Sequence, residues 1–231
     1  MTHKTNVDWQ NIDMVVFDVD GTLYDQNKLR FLMAKDLMLS ALVGFDLTNL
    51  RVLKVFRSLR ERLAEEEVEN FEPILVQRTA AAVGIPGEQV MSIVHQWILQ
   101  RPLRYLARCR YPAIDRLFAG LRRDGKTIGI LSDYPAHDKL KTLGLFADYV
   151  VAAGDVGVGR LKPHPRGLEA LMEAAGVKPE RVLFIGDRNE RDGKAACRAG
   201  AQQLIRTKRV NSVKFPAFEH FDDAIFAPVL S

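Results

Sequence analysis

The chain has 231 residues, 47% of them hydrophobic, which is enough for one α/β core with or without a small second domain. Charged residues make up 27%, an ordinary value for a globular protein, which argues against wholesale disorder. Lysine and arginine number 33 against 29 aspartates and glutamates. The net charge of +4 favours anionic ligands in general, and it does not predict nucleic acid as a partner.

The sequence carries no sign of export or of membrane insertion. Cys109 and Cys197 lie far apart and neither belongs to a CxxC pair, so we expect two free thiols in a reducing compartment. The first ten residues, MTHKTNVDWQ, are polar and lack the apolar stretch of a secretory signal. No segment reaches the roughly 18 apolar residues of a membrane span. We therefore expect a cytoplasmic protein with no membrane partner.

Short apolar runs predict strands that are buried on both faces, because they are rich in β-branched and aromatic residues. Helical patterns that end near a glycine alternate with them, as in a parallel, doubly wound sheet. The predicted fold class is therefore α/β with a Rossmann-like core, in which ligands bind at the carboxyl ends of the strands. The predicted strands cover residues 14–17, 127–131, 149–152, 181–185 and 203–205, and the helices between them cover 113–123, 165–175 and 192–199.

The stretch between the first two predicted strands is too long for a simple crossover, which needs only about 10–12 residues. It runs from Leu23 to Lys126 and contains four helical patterns, at 29–43, 49–67, 72–83 and 88–100. This arrangement predicts an all-helical domain inserted into the core. The predicted boundaries are 25–107 for the helical domain, with 1–24 and 108–231 forming the core.

Pairs of acidic residues follow two of the predicted strands. Asp18 and Asp20 come directly after the first strand, and Gly21 lets the backbone turn sharply behind them. Two acids in contact repel each other unless a cation neutralises them, and oxygen ligands suit Mg²⁺. Asp187 and Asp192 repeat this pattern at another strand end. Taken alone, each pair is also typical of a turn or a helix cap.

A hydroxyl and a lysine lie at two further strand ends. Ser132 alone is typical of a turn, and Lys162 alone is typical of a solvated loop. Their meaning changes when they share one sheet edge with the two acidic pairs. A carboxylate nucleophile, a cation site, a hydroxyl and an ammonium group are the parts that phosphoryl transfer needs.

These residues resemble the haloacid dehalogenase-like hydrolase superfamily in all four of its motifs, in the right order. The motifs are FDVDGTL at 17–23, ILS at 130–132, KPHP at 162–165 and GDRNERD at 186–192, the last matching GDxxxxD. The inserted helices lie where the family places its first type of cap domain. The layout is similar to that of the phosphoglycolate-phosphatase-like branch.

The resemblance implies covalent catalysis. Asp18 would attack phosphorus and form an aspartyl-phosphate, and Asp20 would protonate the leaving oxygen and then activate a water. Ser132 and Lys162 would hold the phosphoryl oxygens. Members of the superfamily that dehalogenate lack an acid at the position of Asp20, so the acid favours phosphate esters as substrates.

The resemblance also implies a Mg²⁺ cofactor. The ion would be held by the carboxylates of Asp18 and Asp187 and by the backbone carbonyl of Asp20. Asp192 would orient either a metal-bound water or Lys162.

The function expected from these features is hydrolysis of a small organic phosphate monoester, with a small phosphorylated metabolite as the partner and no nucleic acid. Two alternatives stay open. A phosphosugar mutase of the same superfamily would pass the phosphoryl group to another hydroxyl of its substrate. A non-catalytic regulatory protein could keep the fold without the reaction, because fold alone does not determine function.

The inserted segment contains one stretch that is dense in charge, residues 57–69. Its pattern favours a solvated helix face stabilised by pairs of charges four residues apart. The aromatic residues Phe56 and Trp97 are predicted to pack in the core of the inserted domain. Substrate specificity is expected to come from this domain.

Overall fold

One parallel sheet organises the fold in the computed structural model, which describes residues 7–44, 47–210 and 216–231. Every pairing between its strands is parallel, and the predicted α/β fold with a doubly wound sheet is confirmed. The strands are β1 (Met14–Phe17), β2 (Thr127–Ser132), β3 (Tyr149–Ala152), β4 (Val182–Gly186), β5 (Gln202–Arg206) and β6 (Ala217–Phe218), in the order β3-β2-β1-β4-β5-β6.

The strand β1 lies at the centre of the sheet and is buried on both faces. Its side chains alternate, so that Val15 and Phe17 belong to one hydrophobic cluster while Met14 and Val16 belong to another. This is the period of two that a pleated strand imposes. A strand buried on both faces has no polar alternation, which is why the sequence shows an unbroken apolar run.

Several helices lie between β1 and β2 in the described residues, and the first five of them are called here the inserted helices. They pack mainly around a hydrophobic cluster that contains Phe56 and Trp97, which confirms the predicted place of these two aromatic residues. None of the helices in the described parts of the chain is long and apolar enough to cross a membrane. The inserted helices are α1 (Gln26–Gly44), α2 (Thr48–Glu65), α3 (Phe71–Val83), α4 (Gly87–Val94), which continues into a π-helical turn at His95–Gln100, and α5 (Leu103–Cys109).

The fifth inserted helix, α5, lies outside the four helical patterns predicted for the insertion. It packs against α1 and against a helix of the core, so it joins the inserted helices to the sheet layer. The cluster around Trp97 also includes Leu161, which lies outside the inserted segment. The division into 25–107 and the two flanking core segments stays a prediction.

Helices cover both faces of the sheet. The helices α6 (Ile114–Arg123) and α7 (His137–Leu143) contribute to the cluster around Phe17. The helices α8 (Arg166–Ala175) and α9 (Lys194–Arg198) contribute to the cluster around Met14. The helix α8 ends where Gly176 adopts the left-handed conformation with a φ of 65°, as its glycine predicted. These four helices and α10 (Ala227–Leu230) are the helices of the core in the described residues.

Candidate active site

A cleft of about 1030 Å³ is lined by residues at the carboxyl edge of the sheet and by residues of the inserted helices. Five of the six predicted site residues line it. In a doubly wound sheet this edge is where ligands bind. The five residues are Asp18, Asp20, Lys162, Asp187 and Asp192.

Asp18 follows β1 and is only 5% exposed. Its Oδ1 accepts a hydrogen bond from the Lys162 ammonium at 2.5 Å, and its Oδ2 accepts one from the Thr22 hydroxyl at 2.9 Å. Burial raises the pKa of Asp18 well above its usual value, and the charges of Asp192 and Asp187 add to this, although Lys162 opposes it. A positive charge beside these acids would hold Asp18 as the carboxylate that a nucleophile requires.

Lys162 lies between two carboxylates and is only 4% exposed. Besides Asp18, its Nζ contacts Asp192 Oδ1 at 2.7 Å. Burial alone would lower the pKa of Lys162, but the charges of Asp18 and Asp192 raise it well above its usual value. The side chain therefore stays an ammonium, held in place from two sides.

The loop after β4 brings Asp192 back towards the strand end. Its Oδ2 accepts hydrogen bonds from the backbone N–H of Asp187 at 3.2 Å and of Arg188 at 2.9 Å. A π-helical turn at Asn189–Gly193 makes this possible and precedes α9, so the helix predicted from residue 192 begins differently. A Cβ on Gly186 would lie 2.3 Å from the Asp192 Cβ, so only glycine fits there.

Three carboxylates form a cluster that can bind a divalent cation. Asp18, Asp187 and Asp192 each offer an oxygen, and these oxygens lie within 4.8 Å of one another. Burial and the charge of Asp192 raise the pKa of Asp187 to about 7, a cost that a cation would remove. Gly21, with a φ of 107°, packs so closely that a Cβ would lie 2.2 Å from Asp187 Oδ2. These buried oxygen ligands fit Mg²⁺.

Asp20 has a different environment from Asp18, although it lies only two residues further on. Its two carboxylate oxygens accept hydrogen bonds from the Lys139 ammonium at 2.5 and 2.7 Å, and the Tyr24 hydroxyl also donates to it. Burial alone would raise the pKa of Asp20, but Lys139 and Tyr24 bring it below its usual value. The carboxylate of Asp20 is not part of the three-acid cluster.

Lys139 was assigned no role from the sequence; it lies on α7 and is buried against Asp20. The two residues are 119 positions apart, so no local motif joins them. The sequence did contain one indication that Lys139 is buried. Lys139 falls on the same helical stripe as the apolar residues Ala136, Leu140 and Leu143, which predicts a buried position for it.

Ser132 is the predicted site residue that does not line the cleft. It is fully buried at the end of β2, and its Oγ accepts a hydrogen bond from the backbone N–H of Tyr134 at 3.3 Å. Its contact with a phosphoryl oxygen stays a prediction. The neighbouring Asp133 does line the cleft, and its Oδ1 is buried without a partner among the described residues.

The prediction of a solvated face for the charged segment 57–69 is wrong in part. Arg60 is buried, and three acids of the segment pair with arginines outside the inserted helices: Glu61, Glu67 and Glu69. Arg60 is only 8% exposed, lies 3.9 Å from the centre of the Tyr134 ring and donates to the carbonyl of Asp133. Glu61 binds two arginines of the loop at 186–192, one of them Arg188. Both residues face the sheet edge, a tertiary contact that helix periodicity alone does not reveal.

The fold and the site together define a class of protein: an enzyme whose acidic cluster lies at the carboxyl edge of a doubly wound α/β sheet. Within that class the chain belongs to the haloacid dehalogenase-like hydrolase family, whose model matches residues 12–200. The predicted family is confirmed, and with it the prediction of a hydrolase.

Curated relatives extend over most of the chain. The glyceraldehyde 3-phosphate phosphatase of Methanopyrus kandleri is 28% identical over 220 residues, covering 92% of this chain and 89% of the relative. The phosphoglycolate phosphatase of Salmonella typhimurium is 26% identical over 223 residues, covering 87% and 84%. Both relatives are named as phosphatases, in agreement with the predicted phosphoric monoester hydrolase.

Solved structures share the fold. A 2-haloacid dehalogenase from Pseudomonas syringae matches with a TM-score of 0.64 at 16% identity, covering 95% of this chain and 97% of that one. A β-phosphoglucomutase from Clostridium difficile matches with a TM-score of 0.64 at 17% identity, covering 94% and 95%. At these identities the likeness concerns the fold alone.

Proposed function

We propose that the protein is a Mg²⁺-dependent phosphatase that hydrolyses a small organic phosphate monoester through a phosphoryl group carried by Asp18. The observation that supports this most is that two neighbouring acids, Asp18 and Asp20, contact different lysines. Lys162 contacts both Asp18 and Asp192, whereas Asp20 pairs with Lys139. A cation at the cluster would keep Asp18 ionised for nucleophilic attack, while Asp20, which lies outside the cluster, would be available for proton transfer.

In the first step a carboxylate oxygen of Asp18 forms a bond to phosphorus, and the bond between phosphorus and the ester oxygen breaks. The leaving oxygen takes a proton from Asp20. Lys139 keeps Asp20 ionised in the free protein, but a dianionic phosphate bound nearby opposes that charge and favours the protonated form. Lys162 contacts Asp18 Oδ1 and balances charge on the phosphoryl oxygens.

In the second step a water molecule attacks phosphorus and releases inorganic phosphate. Asp20, now a carboxylate, accepts the proton of that water, and Asp18 leaves as a carboxylate. The same residue thus acts first as an acid and then as a base. Its contacts with Lys139 and Tyr24 hold it in place through both steps.

The residues that would hold Mg²⁺ are Asp18 and Asp187, with the backbone carbonyl of Asp20 and with Asp192 beside them. The chemistry that Mg²⁺ supplies when bound is neutralisation of negative charge on the carboxylates and the phosphoryl oxygens. Asp192 also fixes Lys162 and the backbone after Asp187, so it orients the groups around the ion.

The inserted helices supply the wall opposite the sheet edge. Apolar side chains such as Leu29, Met33, Leu53 and Trp97 line that side of the cleft. Such a wall would hold the organic part of a substrate and exclude bulk water, which strengthens the charged contacts inside. Relatives named for phosphoglycolate and glyceraldehyde 3-phosphate support a small phosphorylated metabolite as the substrate.

The test is release of inorganic phosphate by Asp18→Asn. We expect wild type to release phosphate from p-nitrophenyl phosphate and from at least one of phosphoglycolate and glyceraldehyde 3-phosphate when Mg²⁺ is present, and a chelator to abolish this. In Asp18→Asn the nucleophile is lost, so kcat should fall by at least about 10³-fold. Asp222→Asn is the matched control, because Asp222 is exposed and its pair with Arg116 is long, at 3.9 Å.

Activity of Asp18→Asn at the wild-type level would rule out the covalent mechanism. Phosphate that stays on a sugar and moves between its hydroxyls would indicate the mutase instead. Absence of turnover by wild type on a broad panel of phosphate esters with Mg²⁺ would favour the non-catalytic alternative.

A further inference from the structure

Two neighbouring residues of α2 reach the loops that follow three strands of the sheet. Glu61 contacts the loop after β4, and through it the segment that carries Lys162. Arg60 contacts the loop after β2.

The carboxylate of Glu61 is shared by two arginines. Arg188 donates to its two oxygens through the two terminal guanidinium nitrogens, at 2.9 and 3.0 Å. Arg191 donates to the same carboxylate and also to the backbone carbonyl of Glu61 at 3.2 Å. Both arginines belong to the GDxxxxD loop, so one carboxylate of the inserted helices holds two points of that loop.

Arg191 connects this contact to the catalytic lysine. Its other guanidinium nitrogen donates to the backbone carbonyl of Lys162 at 2.6 Å. Lys162 in turn contacts Asp18 Oδ1 at 2.5 Å. A continuous chain of contacts therefore runs from Glu61 through Arg191 and Lys162 to the proposed nucleophile.

Burial makes Glu61 important to Arg191. The arginine is only 6% exposed, and a buried cation is costly unless it is paired. Glu61 is the carboxylate that pairs with it among the described residues. Without Glu61 the guanidinium would be left without its counter-charge and would be drawn towards water, away from the Lys162 carbonyl.

We propose that Glu61 is a positioning residue, which fixes Lys162 against Asp18 through Arg191 when α2 lies against the sheet edge. The inference rests on the proposed function, and it adds that the contact of Glu61 with the GDxxxxD loop aligns the catalytic lysine. Arg60 supports the same docking from the other side, through the Asp133 carbonyl and the Tyr134 ring.

Glu67 provides a matched comparison. It lies just beyond α2 and also pairs with a core arginine, Arg198, through both carboxylate oxygens. Arg198 lies on α9 and touches neither Lys162 nor the acidic cluster in the described contacts; its other contact is with the carbonyl of Pro163 at 3.3 Å. Loss of this pair removes a contact between the end of α2 and the core but leaves the counter-charge of Arg191 in place.

The experiment compares Glu61→Gln with Glu67→Gln in the full-length protein, using p-nitrophenyl phosphate and Mg²⁺. Small displacements at a reacting centre can cost up to about 100-fold in rate, so we expect kcat of Glu61→Gln to fall by at least about 10-fold. KM should change much less, and Glu67→Gln should keep the wild-type kcat. Glu61→Asp, which keeps the carboxylate, should recover part of the lost kcat.

A double mutant tests whether Glu61 acts on Lys162 through Arg191. If Glu61 acts through Arg191, Glu61→Gln combined with Arg191→Met should have the kcat of Arg191→Met alone, rather than the product of the two losses. Thermal unfolding of each variant shows that it is folded before its rate is compared.

Equal kcat values for Glu61→Gln and Glu67→Gln, or fully multiplicative losses in the double mutant, would overturn the proposal while leaving the phosphatase function in place. Absence of phosphate release by wild type would instead contradict the proposed function itself.

Discussion

The chemistry of the site depends on two aspartates that each pair with a different lysine. Asp18 and Asp20 share one short loop, yet each contacts a different ammonium group, Lys162 for Asp18 and Lys139 for Asp20. The pKa of Asp18 is raised well above its usual value by burial and neighbouring acids, while that of Asp20 is lowered by Lys139 despite burial. These shifts describe the free protein and run opposite to the proposed roles, so we expect a cation at the three-acid cluster to ionise Asp18 and a bound phosphate dianion to favour protonation of Asp20.

A prediction at the residue scale concerns Asp20 and the leaving group. Asp20→Asn cannot supply a proton, so an alkyl phosphate such as phosphoglycolate should lose much of its rate, by about 10²–10⁴-fold. The first step with p-nitrophenyl phosphate should be affected far less, because nitrophenolate leaves without a proton. The measurement is the burst of nitrophenolate in rapid mixing, compared with single-turnover cleavage of phosphoglycolate. Equal losses for the two substrates would contradict the assigned role of Asp20.

At the scale of elements, the strand ends place the acids and the inserted helix α2 fixes the loops around them. Gly21 and Gly186 are required where a Cβ would collide with Asp187 or Asp192, so these loops could be predicted from the motif sequence. The contacts of α2 could not. Glu61 is 127 residues from Arg188, and nothing in the local pattern of a charged helix distinguishes a residue that faces solvent from one that faces another domain.

A prediction at the element scale concerns pH. Hydrogen bonding from Arg188, with the charge of Arg191, lowers the pKa of Glu61 from 4.5 to about 2 against the opposing effect of burial. A group with a lowered pKa stabilises the fold above its unfolded value and loses that effect as the pH falls through the folded value. The free energy of unfolding should therefore differ most between wild type and Glu61→Gln near neutral pH, and the difference should shrink below pH 4.5.

Urea unfolding at a series of pH values measures this difference. Glu65→Gln is the control, because Glu65 is an exposed residue of the same helix and has no ion pair among the described contacts. Its difference from wild type should be small and nearly independent of pH. A difference for Glu61→Gln that does not shrink on acidification would mean that its carboxylate does not stabilise the docking of α2.

At the scale of the whole molecule, the sequence was sufficient to predict the fold, and five of the six predicted site residues lie at the cleft. Five strands and the long helical insertion follow from apolar runs and their spacing, because buried parallel strands leave a strong signal. The two-residue strand β6 and the short helix α7 were not predicted, since elements of this length carry too little periodicity. Lys139 was missed with α7, because its partner Asp20 is distant in sequence.

The central claim is that Asp18 carries the phosphoryl group during turnover. The most direct measurement is mass spectrometry of peptides from Asp20→Asn after rapid acid quenching during reaction with p-nitrophenyl phosphate and Mg²⁺. The variant should form the intermediate, because this leaving group needs no proton, and should hydrolyse it slowly, because the base is absent. We predict one phosphoryl group on the peptide containing Asp18 and none in Asp18→Asn. Turnover with no phosphoryl group on that peptide, or with one on a different residue, would contradict the account.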